Sequence, residues 1–256
     1  MWNLLSERRI LIIICIFRRR GYGLYIISRK RNLLWGILLA VTGMAIGVFV
    51  KFSPYAGTMG SGITVVVDAG HGIPDGGAVG VDGTIEQEIN LKIAKKLQEV
   101  LEGKGIRTIM TRSDKTALSS ESKNIRKMKR EDMEKRLEVM KKSKADLFIS
   151  VHMNYFPGEN VNGLRIFYSA NHGEIKPLAE KIQLKMSEVT GAKTTAVKAA
   201  DKTLFLMKNP PLPAILAECG FLSNAEEEKK LNNEDYQSRL AWAIADAIEK
   251  YYAEPK

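Results

Sequence analysis

The segment Val65-Val66-Val67-Asp68-Ala69-Gly70-His71-Gly72 passes from a run of apolar β-branched residues directly into a polar turn that contains glycine. Such a run predicts a buried strand, and the turn places His71 at its carboxyl end. A second apolar run, 147–151, leads into His152 in the same way. Because open α/β sheets keep their functional groups at the carboxyl ends of the strands, the two histidines are predicted to meet at one edge of a sheet.

Strand-like and helix-like segments alternate through the rest of the domain. Apolar residues at helical spacing predict helices at about 88–103, 125–144, 175–189 and from about Asn232 or Glu234 to Tyr251. Strands are predicted at 63–67, 106–110, 147–151, 163–169, 204–207 and 214–217. This alternation predicts the α/β class: a single domain with a mostly parallel, about six-stranded sheet flanked by helices.

The net charge of +10 is concentrated near the amino terminus. Residues 1–51 contain nine Lys or Arg and one Glu, so they carry +8, and the rest of the chain carries only +2. A nearly neutral domain of this kind argues against nucleic acid as a partner. Acidic and basic residues are interleaved along 125–144, which predicts a solvated helix face rather than a binding patch.

Residues 33–50 are apolar and contain no charged side chain, and about 18 to 20 such residues span a bilayer. Eight positive charges precede this run, so the positive-inside rule predicts a cytoplasmic segment at 1–32 and a transmembrane signal anchor at 33–50. A linker at 51–62 and an exported catalytic domain at 63–253 follow. A cleaved signal peptide would share these features, but the sequence Pro54-Tyr55-Ala56-Gly57 lacks a small-x-small cleavage motif, which favours an uncleaved anchor.

Glu86 stands at the amino end of the first predicted helix, where the helix dipole stabilises an acidic residue. Glu88 fills that role equally well, which leaves Glu86 available as a metal ligand. Two neutral imidazoles, from His71 and His152, and one carboxylate form a known ligand set for catalytic zinc, with a fourth position left for water. The sequence therefore predicts a zinc hydrolase.

Glu218 ends the apolar run 213–217, and a carboxylate left in a core without a partner would be costly. At the carboxyl end of a strand it faces the same cleft as the histidines, where it is suited to take a proton from the attacking water. A purely structural use of Glu218 is the alternative. Cys219 has no neighbouring histidine in the sequence and is predicted to be a small buried residue rather than a nucleophile.

Asn154 shares a strand face with Ser150 and His152, because side chains alternate along a strand. We predict that Asn154 orients a ligand or binds substrate amides, and the alternative is that it only caps the following turn. His172 lies in a turn-like segment and is predicted to be a surface loop residue.

The ordered motifs of residues 63–251 are Val66-Val67-Asp68-Ala69-Gly70-His71-Gly72, Gly83 to Glu86 with Asn90-Leu91, Thr111-Arg112, Arg136, Ala145 to Asn154 and Glu218-Cys219-Gly220-Phe221-Leu222-Ser223-Asn224. In this order they resemble the zinc-dependent N-acetylmuramoyl-L-alanine amidases of the Amidase_3 type. The resemblance implies one Zn²⁺ per domain, bound by His71, Glu86 and His152, with Glu218 as the catalytic residue. It also implies peptidoglycan as substrate, cut at the amide between N-acetylmuramic acid and L-alanine of the stem peptide.

A short anchor followed directly by a bare catalytic domain resembles the germination-specific amidases of spore formers. That resemblance implies a membrane-anchored enzyme facing the spore cortex, whose product a muramic acid deacetylase converts towards muramic δ-lactam, and it leaves room for an activating protein. Met140-Lys141 departs from the Ala-Asn of many relatives. Two alternatives remain open: a membrane-tethered peptidoglycan-binding protein without activity, and a zinc peptidase that cuts within the stem peptide.

Overall fold

The computed structural model describes residues 62–119, 124–157 and 161–255. The predicted cytoplasmic segment at 1–32, the predicted anchor at 33–50 and nearly all of the predicted linker at 51–62 lie outside the described residues. Within the three described ranges, no helix combines the length and apolar character that crossing a bilayer requires.

Six strands form one sheet in the order β2-β1-β3-β6-β4-β5. Their bounds are Thr64–Ala69 for β1, Arg107–Met110 for β2, Leu147–Asn154 for β3, Arg165–Tyr168 for β4, Lys198–Ala199 for β5 and Ala214–Phe221 for β6. All neighbouring strands are parallel except β4 and β6, which are antiparallel. The predicted α/β fold with a mostly parallel, six-stranded sheet is confirmed.

In the described part of the chain, six α-helices accompany the sheet, together with a 3-10 helix at Ala170–Ile175. Their bounds are Glu86–Gly103 for α1, Ile125–Ser143 for α2, Lys176–Thr190 for α3, Phe205–Lys208 for α4, Ala225–Leu231 for α5 and Glu234–Ala253 for α6. The predicted strand at 204–207 is wrong, since this segment forms the short helix α4. The strand at the edge of the sheet next to β4 is β5 instead. A short apolar run does not separate a strand from a single helical turn.

The core has two layers, one on each face of the sheet. Val65 and Val67 of β1 belong to the larger layer, beneath α1, α3 and α6. Val66 points the other way and belongs to the smaller layer with Phe148 and Met140 of α2. Because both faces are covered, the central strands are apolar along their length rather than alternating.

Helix α2 differs in one respect from the predicted solvated helix. A stripe at four-residue spacing is buried, and it consists of Met128, Asp132, Arg136 and Met140. The two charged members of the stripe are paired, because Arg136 Nε donates to Asp132 Oδ2 at 2.8 Å. This highly charged segment therefore contains a buried ion pair in addition to its solvated face.

Cys219 is a free, fully buried cysteine on β6, as the sequence predicted. Burial raises the pKa of its thiol, and the nearby Glu218 carboxylate adds to the effect. A thiol kept protonated is a poor nucleophile, so Cys219 acts as a packing residue.

Candidate metal centre

His71, Glu86 and His152 lie together at the carboxyl ends of β1 and β3, with His152 among the last residues of β3 and His71 just after β1. One ligand atom from each lies within 4.8 Å of the others, and the two imidazole centroids are 5.0 Å apart. Glu86, the first residue of α1, stands between the rings. Its Oε2 is 3.2 Å from His71 Nε2, and its Oε1 is 3.0 Å from His152 Nδ1. The structure thus brings together the three residues that the sequence singled out as metal ligands.

The Glu86 carboxylate is held by hydrogen bonds from three parts of the chain. Oε2 accepts from the backbone N–H of Ala78 at 2.9 Å, and Oε1 accepts from the N–H of Met153 at 3.1 Å. Asn90, one helical turn later, donates to Oε1 at 3.3 Å. Burial alone would raise the pKa of Glu86, but hydrogen bonds from His152 and His71 outweigh it and hold the pKa well below its usual range. The group is therefore an ionised carboxylate in a fixed orientation.

Two glycines leave room for the side chains of His152 and Glu86. A Cβ at Gly70 would lie 2.3 Å from Cε1 and Nε2 of His152, and a Cβ at Gly77 would lie 2.5 Å from Glu86 Oε2. Both distances are shorter than the contacts that a Cβ atom makes in proteins, so a side chain at either position would displace a ligand residue. Two imidazoles and one carboxylate in so tight a cradle fit a zinc ion.

Two buried arginines hold the backbone that carries His71. Arg112 donates from Nε to the Ala69 carbonyl at 2.8 Å and from Nη2 to the Gly70 carbonyl at 2.9 Å. Arg136 donates from Nη2 to the His71 carbonyl at 2.6 Å. Three consecutive carbonyls are thereby fixed, which stabilises the left-handed conformation of His71 at φ 61°, an uncommon one for a residue with a side chain.

Asp75 is a second carboxylate on His71 that sequence reasoning missed. Its Oδ2 lies 3.0 Å from His71 Nδ1, and its Oδ1 lies 2.8 Å from Lys129 Nζ. Burial opposes ionisation of Asp75, but the bonds to His71 and Lys129 outweigh it and hold the pKa of Asp75 below its usual range. A carboxylate on the far nitrogen of a metal-binding histidine fixes the orientation of the ring. The only signal in the sequence was its position four residues after His71.

The carboxylates of Asp75 and Glu86 also favour the protonated form of His71. Burial disfavours the imidazolium, but Asp75 and Glu86 outweigh burial and raise the pKa of His71 to about 9. A proton and a metal ion therefore compete for this ring, since only neutral imidazole binds a metal.

We expect Asp75→Asn to weaken zinc affinity about 10- to 100-fold, because a neutral amide orients His71 less firmly and lowers its basicity. The measurement is competition against a chelator of known affinity at fixed pH, with far-UV circular dichroism as a check on folding. Glu88→Gln is the matched control, since Glu88 pairs with Lys115 at 2.7 Å and is not part of the His71, Glu86 and His152 cluster. Equal zinc affinity of Asp75→Asn and wild type would contradict the assignment.

Glu218 lies on β6 and pairs in register with His152 on β3. The sequence predicted that this strand ends at residue 217, before Glu218. The observed β6 instead continues to Phe221, and its register with β3 shifts after the pair of His152 and Glu218. Burial raises the pKa of Glu218 to about 7; His152 opposes the shift and Glu86 adds to it. Its buried Oε2 has no hydrogen-bond partner among the described residues. Such a group exchanges a proton readily near neutral pH.

Asn154 and His172, the two other polar residues that the sequence singled out, lie outside the cluster of His71, Glu86 and His152. Asn154 ends β3, half-buried, and its carbonyl accepts from the N–H of Leu222 at 2.8 Å. His172 lies at a kink in the 3-10 segment, where its own φ of −125° and ψ of 57° are not helical, and its ring nitrogens face Glu174 and the Pro210 carbonyl at 3.1 and 3.3 Å. His172 is not part of the metal cluster.

Comparison with known proteins gives the sequence relatives of this chain. Residues 65–250 match the family model described as N-acetylmuramoyl-L-alanine amidase. The chain is 34% identical over 195 residues to the germination-specific N-acetylmuramoyl-L-alanine amidase of Bacillus subtilis, an alignment that covers 76% of this chain and 81% of that protein. It is 32% identical to the amidase LytC of the same organism, over 75% of this chain and 36% of LytC.

Solved structures agree with the sequence relatives. The fold is similar to the CwlD amidase from Clostridioides difficile, solved in complex with the GerS lipoprotein, with a TM-score of 0.71 and 38% identity over 74% of this chain and 98% of that one. The catalytic domain of CwlV from Bacillus (Paenibacillus) polymyxa var. colistinus gives a TM-score of 0.64 and 31% identity, over 74% and 97% of the two chains. The chain therefore belongs to the N-acetylmuramoyl-L-alanine amidase family.

Proposed function

We propose that this protein binds one zinc ion through His71, Glu86 and His152 and uses Glu218 to hydrolyse the amide between N-acetylmuramic acid and L-alanine of peptidoglycan stem peptides. The observation that carries the proposal is the Glu218 carboxylate, which is buried beside the ligand cluster with its Oε2 unpartnered. The zinc dependence of the family supports the choice of metal.

A bound zinc ion supplies Lewis acidity towards the attacking water and the scissile carbonyl. The protein's own residues handle the protons. Glu218 accepts a proton from the water as its oxygen attacks the carbonyl carbon, and then donates it to the nitrogen of L-alanine as the C–N bond breaks. The products are the lactyl carboxylic acid of muramic acid and a stem peptide with a free amino terminus.

The finer biological role is also a proposal. We infer that the enzyme acts outside the cytoplasm on spore cortex, held at the membrane by the segment 33–50. Similarity to the germination-specific amidase of Bacillus subtilis supports this role. A muramic acid deacetylase would consume the product, and the complex of CwlD with a lipoprotein supports a protein partner for this chain as well.

The test is mass spectrometry of the products released from spore-type peptidoglycan by the purified, zinc-loaded full-length chain. We expect free stem peptides that begin at L-alanine and glycans with bare muramic acid, and we expect a chelator to abolish both products until zinc is restored. Cuts within the peptide would indicate a peptidase instead. Binding to the wall without any cleavage, at stoichiometric zinc, would indicate a non-catalytic role.

A further inference from the structure

Arg165 lies directly across the sheet from the proposed catalytic residue. Strands β4 and β6 are antiparallel, and the Cα partner of Arg165 is Glu218. Side chains of such a pair project from the same face, with Cβ atoms about 4.5 to 5.5 Å apart. The neighbouring pair on that face, Phe167 and Leu216, packs in the smaller core layer, so the face is the one covered by α2 and α4. Arg165 and Glu218 therefore project from the same face of the sheet, next to His152 on β3.

The guanidinium of Arg165 is held in place but is not neutralised. Its Nη1 donates to the Leu164 carbonyl at 2.8 Å, and its Cζ lies 5.3 Å from the centroid of the Phe221 ring. The side chain is half-buried, and among the described residues no carboxylate lies within ion-pair distance of it. Glu218 itself forms no ion pair with Arg165 among the described residues, and its buried Oε2 accepts no hydrogen bond there.

An arginine held in this way is suited to a particular ligand. The planar guanidinium presents its N–H groups as a fixed fork, which matches the two oxygens of a carboxylate. Stacking on Phe221 and the bond to the Leu164 carbonyl orient that fork before any ligand arrives, so less conformational entropy is lost on binding.

The substrate offers a carboxylate at a fitting distance. In stem peptides an acidic residue follows L-alanine, whose nitrogen is the leaving group of the proposed reaction. Successive residues of an extended peptide are about 3.3 to 3.6 Å apart. One to two residues of such a peptide therefore span the distance of about 4.5 to 5.5 Å that separates Cβ atoms paired in register, as Arg165 and Glu218 are. One group can thus bind the carboxylate while the other reaches the scissile amide.

We propose that Arg165 is a specificity-determining residue that binds the free α-carboxylate of the stem-peptide residue after L-alanine. The inference rests on the proposed amidase function and names the part of the substrate that this wall of the cleft recognises.

The test uses two synthetic N-acetylmuramoyl tripeptides that differ only at this residue, which carries either an α-carboxylate or an α-carboxamide. With zinc-loaded full-length protein, we expect wild type to favour the carboxylate substrate about 10- to 100-fold in kcat/KM, mainly through KM. Arg165→Gln is expected to lose that preference, because its kcat/KM for the carboxylate substrate falls towards its kcat/KM for the carboxamide substrate. Arg165→Lys, which keeps the charge without the fork, is expected to recover part of the preference.

Arg239→Gln is the matched control, because Arg239 also lies over an aromatic ring, with its Cζ 5.6 Å from the centroid of Tyr236, but on α6. It is expected to behave as wild type on both substrates. An equal loss of activity of Arg165→Gln on the two substrates would overturn the inference in favour of a structural role, and no loss on either would show that Arg165 does not contact substrate. Wild-type protein that cuts both tripeptides with equal kcat/KM would overturn recognition of this carboxylate while leaving the amidase proposal intact.

Discussion

Replacing Glu218 with glutamine is expected to lower kcat by about 10²- to 10⁴-fold while zinc content stays at that of wild type. Glutamine keeps the size of the side chain but cannot accept the proton of the attacking water. The side chain pairs in register with His152 yet is not one of the three clustered ligand residues, so the metal is expected to remain bound. The measurements are steady-state hydrolysis of an N-acetylmuramoyl peptide and metal analysis of the same sample.

His71→Ala provides the contrast, because it is expected to lose both zinc and activity. Full activity of Glu218→Gln would contradict the role of Glu218 as the base. Parallel loss of zinc from Glu218→Gln would assign Glu218 to the metal instead. Glu218→Gln therefore reports on proton transfer alone, and His71→Ala reports on metal binding, although the two residues are neighbours in the site.

Stability gives an independent view of the same substitution. Glu218 is buried with one oxygen unpartnered, and burial raises its pKa to about 7. An ionised group in that position is costly, so glutamine is expected to leave the free energy of unfolding at pH 8 unchanged or to raise it. A residue that weakens the fold and is required for turnover is serving the reaction rather than the structure.

The candidate ligands could be predicted from the sequence because each is tied to a local pattern. His71 follows the strand β1, His152 follows the apolar run 147–151 within β3, and Glu86 begins a helix with a second acid that could serve its dipole. Parallel strands in one sheet bring their carboxyl ends to one edge, so sequence-distant residues meet there once the fold class is known.

The groups that support the ligands could not be predicted, because their partners are distant in sequence. Arg136 contacts Asp68 and the His71 carbonyl from the middle of a highly charged helix. Its four-residue spacing from Met140 places it on the buried stripe, but that spacing does not reveal which carboxylate and carbonyl it meets. The contact of Asn90 with Glu86 is an exception. The two residues are four positions apart, which places both side chains on one face of a predicted helix.

Arg136→Leu is expected to destabilise the domain by about 3 to 5 kcal/mol, the usual cost of removing one partner from a buried ion pair. Arg136 is fully buried and forms ion pairs with both Asp68 and Asp132. Burial opposes the ionisation of both Asp68 and Arg136, but their attraction outweighs it, so the pKa of Asp68 is lowered and that of Arg136 is raised. Leucine leaves Asp68 charged without its cation. The measurement is urea unfolding at neutral pH.

Arg130→Leu is the control on the same helix. Arg130 pairs with Glu134 at 2.9 Å, but its side chain is 79% exposed, so its loss is expected to cost less than about 1 kcal/mol. Leucine and arginine have nearly equal helix propensity, and the comparison therefore isolates burial of the ion pair. Similar losses from the two variants would show that the Arg136 pair is not a major source of stability.

The double variant Asp68→Asn/Arg136→Leu tests the cause of the loss. If the cost of Arg136→Leu is the unneutralised Asp68 carboxylate, the double variant is expected to lose clearly less than the sum of the two single variants. Additive losses would instead point to the carbonyls of Ala69 and His71, to which Arg136 also donates. In that case its main contribution would be to hold the backbone of the proposed metal ligand.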